Sequence, residues 1–287
     1  MRHLYEELNP FSGELTKGKR LSLTLPANTV FRSFLIFTNI DPQFIEAVEL
    51  ANGSDVPIPL SADELLMMER HHKRPTVKGV IPFHVADVRA RTLPGQDSLE
   101  RPSGPNDAHE LRVRLSTGLP ASNGYYLYAR ALFASPITVL RDGNGMPIRG
   151  VDGSISMGQR VRTNERRFER HTINNVSKGV IVYDKLPRGP KLRALYIKGN
   201  VSKIEMEARK GGTVVKRMEL DRETLEYIQV AEQDLAPQEG YFIFNPVGSG
   251  FMSDEMMTAY DSLQFKLHHE SDNQTIDILA DINASLA

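Results

Sequence analysis

The two halves of the chain repeat one order of secondary structure, and this repeat restricts the fold more than any other feature. Short alternating apolar runs, bounded by Gly, Pro and Asn, predict strands in both halves. In each half one helix follows the fourth predicted strand, over residues 61–70 and again over 221–231. The matched elements are about 150 to 160 residues apart, a period that suits whole domains.

Turn residues support this alignment of the halves. Leu25-Pro26 ends the first predicted strand, and Leu186-Pro187 falls at the matching place. The turn at Asn52-Gly53 corresponds to the glycines at 211–212, because glycine supplies the positive φ that a tight hairpin needs. The halves therefore share turns as well as strands.

About seven or eight strands per half, with a long excursion after the fifth, is the element list of a two-sheet Greek-key sandwich. We therefore predict an all-β protein of two tandem eight-stranded jelly-roll β-sandwiches, a double jelly roll with a short helix in each. The first jelly roll, with an N-terminal arm, is assigned to residues 1–160 and the second to 161–287. We expect the arm, residues 1–19, to become partly ordered on assembly.

Three segments are predicted to lie outside the strands. The stretches 89–109 and 141–165 are rich in Pro, Gly and Asp, which is typical of surface loops. Residues 160–170 contain five arginines and two glutamates, and we interpret them as a solvated linker between the domains.

Composition excludes several classes of function. The 35 basic and 36 acidic side chains nearly balance, so we expect no direct role in nucleic-acid binding. The chain has no cysteine, which excludes disulfides and thiolate chemistry. No apolar run reaches the about 18 residues of a membrane span, and residues 1–15 lack the apolar core of a signal peptide.

The candidate sites are few. The run His71, His72, Lys73 and Arg74 follows the first helix and forms a compact basic patch, either solvated surface or a contact with anionic lipid headgroups or another subunit. Jelly rolls also build metal-dependent cupins, but the repeat partner of His84 lies in 242–245, where no ligand occurs. The sequence leaves open whether any metal is bound, and it assigns no catalytic residue and no cofactor.

Acidic side chains could supply oxygen ligands to calcium, although no EF-hand spacing is present. The candidates are Asp254-Glu255, Asp261 and Asp272-Asn273. Asp277 and Asp281 share one strand face and could serve glycoside hydrolysis, but solvent-facing alternation explains them more simply.

A family resemblance rests on the order and spacing of short segments along most of the chain. These are Leu25-Pro26, residues 65–80 with the basic run, Phe83-His84, Leu186-Pro187, residues 195–198 and residues 263–267. In these the chain resembles the double jelly-roll major capsid protein of corticoviruses, which are tailless bacterial viruses with an internal membrane. It departs from the family pattern in a longer stretch over residues 89–150.

The resemblance implies a structural protein of the virion shell, assembled in the host cytoplasm, and not an enzyme. It implies homotrimers whose six jelly rolls form pseudo-hexagonal capsomers of an icosahedral capsid over a membrane. Vertex (penton) proteins, membrane-associated virion proteins and lipid headgroups are the implied partners, and calcium at subunit interfaces is suggested by the family. The alternative is a two-domain β-sandwich that binds or processes carbohydrate, although the chain lacks tryptophan, a common sugar platform.

Overall fold

The computed structural model describes residues 5–122, 124–140, 142, 146–160 and 163–285. Its first half contains nine strands and two helices. The strands are β1 (Tyr5–Glu7), β2 (Arg20–Thr24), β3 (Val30–Thr38), β4 (Ile45–Asn52), β5 (Asp55–Leu60), β6 (Val80–His84), β7 (Arg101–Pro102), β8 (His109–Leu115) and β9 (Leu127–Ala134). The helices are α1 (Ala62–His71) and α2 (Leu93–Asp97).

The first jelly roll is a sandwich of two antiparallel sheets. One sheet has the strand order β1-β9-β3-β6, with the short β7 also paired to β3, and the other has the order β2-β8-β4-β5. Alternate side chains of both sheets point into one core, where Phe34, Leu50, Phe83 and Val113 are fully buried.

A two-stranded ribbon, β10 (Ile137–Val139) paired with β11 (Met157–Gln159), separates this unit from the second half. The second half has one helix, α3 (Arg222–Ala231). Its strands are β12 (Asn164–Val176), β13 (Gly179–Tyr183), β14 (Lys191–Lys198), β15 (Val201–Lys210), β16 (Thr213–Asp221), β17 (Tyr241–Phe244), β18 (Met256–Met257), β19 (Ser262–His269) and β20 (Gln274–Ser285).

The second half repeats the topology of the first strand for strand. Its sheets have the orders β12-β20-β14-β17 and β13-β19-β15-β16, and the short β18 pairs with β14 as β7 pairs with β3. The predicted double jelly roll, with eight main strands in each half, is confirmed. The proposed boundary between residues 160 and 161 falls between β11 and β12.

The helix α1 begins where its capping residues require. The Ser61 hydroxyl accepts a hydrogen bond from the Glu64 backbone N–H, and the Glu64 carboxylate accepts one from the Ser61 N–H. In the second half Asp221 caps α3 by accepting from the Thr224 N–H. Among the described residues no helix is long and apolar enough to cross a membrane.

Two predictions about segments outside the strands are wrong. Residues 164–170 of the supposed linker belong to β12, an edge strand with buried ion pairs. The stretch 89–109 is not a loose surface loop, since Leu99, Glu100 and Arg101 are buried and β7 joins a sheet. The N-terminal arm includes the strand β1, while residues 1–4 lie outside the described part, and partial ordering of the arm on assembly stays a prediction.

The cap of α1 yields a first prediction. Ser61→Ala removes the hydroxyl acceptor and is expected to lower the free energy of unfolding by about 1 kcal/mol. Urea denaturation followed by circular dichroism measures it. Ser61→Asp keeps an acceptor and serves as the control, so an equal loss in both variants would contradict the capping role.

Candidate functional site

The two jelly rolls meet along one extensive contact, here called the junction. On one side is α1 of the first jelly roll, with β6 and the residues that follow it; on the other is the outer face of the β12-β20-β14-β17 sheet. Apolar side chains of that face join the hydrophobic core of the first jelly roll: Phe168, Ala194, Tyr196, Ile243 and Leu279. The junction is therefore packed like a protein interior.

A buried arginine at a β-bulge lies at the centre of the junction. Arg193 is the extra residue where the register of β14 and β20 shifts between Leu192 and Ala194. Its Nη1 donates to Oε1 of Glu255 at 2.6 Å and its Nη2 to Oδ2 of Asp87 at 2.5 Å. Since Asp87 belongs to the first jelly roll, this arginine ties the two halves together.

A second arginine extends this ion cluster. Arg166 of β12 donates from Nε and Nη2 to the carboxylate of Asp281, at 3.0 and 2.6 Å, and from Nη1 to the carbonyl oxygen of His84 at 3.1 Å. Burial alone would raise the pKa of Asp87, but the Arg193 guanidinium holds that pKa below its usual value. The carboxylate therefore stays ionised and paired.

The first jelly roll contains the same device. Arg32 is the extra residue of the bulge in β3, between Phe31 and Ser33, and its Nε lies 2.7 Å from Oε1 of Glu100. Glu100 immediately precedes β7, just as Glu255 precedes β18. A bulge arginine paired with a glutamate therefore occurs at equivalent places in both halves.

Further ion pairs join the halves beside the junction. Arg101 contacts Glu165 with both side chains buried. Arg160, between β11 and β12, contacts Glu100 within the first half. At the other end of α1, Nη2 of Arg170 lies 2.7 Å from the carboxylate of Glu64.

The sequence did not reveal these pairs as a site, although one signal was available. The offset from Arg32 to Arg193 is 161 residues and that from Glu100 to Glu255 is 155, both close to the period of the repeat. A search for charged residues that recur at this period within apolar strands would have found Arg32 and Arg193.

The predicted basic patch at residues 71–74 does not form a continuous surface. His71 is fully buried, and its Nδ1 lies 2.8 Å from the carbonyl oxygen of Ala236 in the second half. Lys73 is exposed but forms an ion pair with Asp234 at 2.6 Å. The expectation of an exposed patch is thus wrong for His71, because α1 packs inside the junction.

The remaining residues of that run also face the junction. Nη1 of Arg74 lies 2.8 Å from Nε2 of His84, and the carboxylate of Glu69 lies 3.5 Å from Arg74 and 3.3 Å from His84. Burial lowers the pKa values of His72 and His84, so both rings are neutral near pH 7. Whether Lys73 or Arg74 contacts lipid or another subunit stays a prediction.

The acidic calcium candidates have structural partners. Glu255 binds Arg193, Asp261 accepts from the Gly211 N–H at 2.6 Å, and Asp272 accepts from the Lys178 N–H at 2.7 Å. In the described part of the chain no group of three or more His, Asp or Glu side chains could hold a metal ion. Calcium between subunits stays a prediction.

The large apolar side chains that are exposed outside the junction include groups in three places. On the outer face of the first β1-β9-β3-β6 sheet, the rings of Phe37 and Tyr128 stack at 4.8 Å, and Tyr126 lies beside them. On α3, Tyr227 and Val230 are exposed. The third place is residues 137–157, with Ile137, Leu140, Met146, Ile148, Val151, Ile155 and Met157. Such clusters commonly mark contacts with other proteins.

Both halves of the chain match models of one protein family. The viral coat protein P2 N-terminal domain matches residues 5–134, and the viral coat protein P2 C-terminal domain matches residues 165–284. The chain belongs to the viral coat protein P2 family. The predicted resemblance to a capsid protein is therefore confirmed, whereas no similar sequence was found among the curated proteins.

Solved structures agree with this membership at the level of the fold. The major capsid protein P2 from bacteriophage PM2 superposes with a TM-score of 0.80 at 16% identity, over 99% of this chain and 98% of that one. A chain from the atomic structure of Sulfolobus turreted icosahedral virus gives 0.65 at 13% identity, covering 99% and 91%. A chain of the PBCV-1 virus capsid gives 0.61 at 8%, covering 99% and 96%.

As a viral coat protein the chain is a structural component of the capsid shell, not an enzyme. This family match gives no support to the alternative of a carbohydrate-binding or glycan-processing protein. The sites that matter for such a protein are its contact surfaces, of which the junction is the one made within the chain.

The central arginine of the P2-family chain yields a second prediction. Arg193→Met leaves Asp87 and Glu255 buried without their cation, and we expect a loss of about 3 to 5 kcal/mol in the free energy of unfolding. Arg217→Met is the control, since Arg217 is exposed and pairs with Glu207 at the surface; its loss should stay below about 1 kcal/mol. Urea denaturation measures the free energy of unfolding of both variants. Similar small losses in the two would contradict a central role of Arg193 in stabilising the junction.

Acid sensitivity is a third prediction. Burial lowers the pKa of His71 to about 4 from an ordinary value of 6.5. Below pH 6.5 this histidine is protonated in the unfolded chain, whereas in the folded chain it stays neutral until about pH 4. The unfolded state therefore binds more protons, and the free energy of unfolding decreases as the pH falls through this window.

His71→Asn keeps a donor near the position of Nδ1 and removes the titration. Between pH 7 and pH 4.5, unfolding free energies from urea denaturation should therefore fall by about 2 kcal/mol less in the variant than in the unmodified protein. Parallel profiles for the two proteins would show that His71 does not titrate in this way.

Proposed function

We propose that the chain is a major capsid protein whose homotrimers form pseudo-hexagonal capsomers, which tile an icosahedral shell over an internal membrane. The observation that carries the proposal concerns the two surfaces that form the junction, a helix face and an outer sheet face. The repeat produces a second copy of each surface, on α3 and on the first jelly roll, and both second copies are exposed in the single chain. A head-to-tail contact of this type generates a closed ring when the rotation between units allows closure.

The contact within the chain uses a helix on one side and a sheet face on the other. Met67 of α1 is buried, and it belongs to the same apolar cluster as Tyr196 and Leu279 of the second jelly roll. In the second half Tyr227 occupies the place of Met67, five residues after Arg222 as Met67 is five after Ala62. Tyr227 is 67% exposed, so the face of α3 that matches the covered face of α1 is bare.

The matching sheet face is also bare. Counting from the two bulge arginines, Leu35 and Arg130 of the first jelly roll correspond to Tyr196 and Leu279 of the second. Next to them lies the stacked pair of Phe37 and Tyr128, with the Arg130 guanidinium 5.6 Å from the Phe37 ring. A second copy placing α3 on this face would cover both apolar surfaces together.

Three chains joined in this way contain six jelly rolls and six junctions of one type, three within chains and three between them. This arrangement explains why the fold is duplicated, since a ring with nearly sixfold edges packs into a lattice. The vertex proteins, the membrane-associated virion proteins and the lipid headgroups are partners that such capsomers would meet at their outer edges and base.

The fourth prediction concerns the mass of the particle in solution. Light scattering should give three times the chain mass of 32.2 kDa for the unmodified protein. Tyr227→Lys places a charge in the proposed contact and should shift the mass to one chain, with an unchanged circular dichroism spectrum.

Val215→Lys supplies the matched control, because Val215 is 52% exposed on β16, away from both surfaces. This variant should remain trimeric. A monomeric unmodified protein, or trimers that persist in Tyr227→Lys, would overturn the proposed contact.

A further inference from the structure

A small polar cavity lies inside the junction. Its volume is about 50 Å³, whereas one water molecule needs about 10 to 15 Å³. Its polar lining comes from both jelly rolls and consists of four arginines, three carboxylates and the side chains of His72, His84 and Asn245. A fourth carboxylate, that of Glu255, pairs with Arg193 from outside the lining.

Three of the four arginines have acidic partners. Arg74 pairs with Glu69, Arg166 with Asp281, and Arg193 with Asp87 and Glu255. These carboxylates therefore already form ion pairs with arginines other than Arg89.

Arg89 is the arginine that remains. Within the described parts of the chain its guanidinium makes no hydrogen bond and no ion pair, and only its backbone N–H is engaged, with Asp87. Burial and the nearby charge of Arg74 lower the pKa of Arg89, and the opposing effects of Asp87 and Asp234 are smaller. In the part of the chain that the structure describes, Arg89 is therefore the one arginine of the cavity whose guanidinium has no acidic group in direct contact.

Two neutral polar side chains that line the same cavity also have no side-chain partner among the described residues. Asn245 is 5% exposed and its Oδ1 has no hydrogen-bond partner; turning the amide by 180° would point Nδ2 into the cavity as a donor. The ring of His72 makes no hydrogen bond in the described structure, and its edge can donate from one nitrogen. Buried polar groups normally have partners, so the unpaired amide of Asn245 indicates that a polar ligand occupies the cavity.

We propose that this cavity binds a small tetrahedral oxyanion of the phosphate class, held by Arg89 with His72 and Asn245. Such an anion would neutralise the unpaired guanidinium through charge-assisted hydrogen bonds. Arg89 and His72 are partly exposed, so a solute can reach the cavity from their side. Because its ligands come from both jelly rolls, the bound anion would stabilise the junction.

The test uses inorganic phosphate and the purified protein in whatever assembly state it adopts. At pH 7 and constant ionic strength, replacing chloride by 10 mM phosphate should raise the melting temperature by about 3 °C, and calorimetric titration should give one phosphate per chain. Arg89→Gln should lose both effects. Without phosphate, this variant should melt no lower than the unmodified protein, because it loses an unpaired cation.

Arg91→Gln is the matched control, with the same charge removed two residues away. The Arg91 guanidinium lies over the ring of Phe251 and outside the cavity, so this variant should keep the phosphate effect. A general salting effect of phosphate would raise the melting temperature of all three proteins equally, and that outcome, like the absence of any shift, would overturn the proposal. A drop of several degrees in Arg89→Gln without phosphate would also overturn it, by showing that Arg89 is already paired.

Discussion

The ion pair between a bulge arginine and a glutamate is the interaction on which the two jelly rolls depend. A β-bulge turns one side chain out of the regular alternation of its strand, and in both halves that side chain is an arginine, Arg32 or Arg193. Each is buried against a glutamate that precedes a short strand, β7 or β18. Because an unpaired buried charge is costly, this pairing fixes how the excursion after β6 or β17 returns to its sheet.

The bulge arginine has a different second partner in each half, and in the second half that partner joins the two jelly rolls. Arg32 finds its second carboxylate, Asp97, within its own jelly roll, whereas Arg193 reaches Asp87 in the other one. Ion pairs are directional, so the cluster around Arg193 limits the angle between the sandwiches more strongly than apolar packing alone. A shell subunit needs this, since an error in one angle is repeated around the lattice.

The sequence predicted most of the strands because their solvent and core faces alternate. It missed β1 and β12, the equivalent edge strands of the two halves. In β12 the residues Glu165, Arg166 and Arg167 stand where an ordinary sheet would show apolar or neutral side chains, and charge in such density is typical of a linker. Their partners are up to 115 residues away, as with Arg166 and Asp281, so no local pattern could show that these charges are buried.

The ion cluster of the junction was not predicted because its partners are distant in the sequence. For the same reason the basic run at 71–74 was predicted to lie on the surface. Charged residues next to a helix end are usually solvated, and only the docking of the second jelly roll buries His71. Periodicity reports which face of an element is apolar. It does not report a second domain that covers a polar face and supplies the opposite charges.

Some equivalent positions of the two jelly rolls carry different charges, and this difference affects which surfaces of two copies can pack together. Within the chain, Glu64 of α1 meets Arg170 of β12. The register places Glu7 of β1 where Arg170 stands in the second half, so α1 of one copy would meet a like charge on the first jelly roll of another. In the proposed ring α3 meets that face instead, and its equivalent of Glu64 is the neutral Thr224. The charge pattern therefore disfavours contacts between two first jelly rolls and leaves the alternating order as the permitted one.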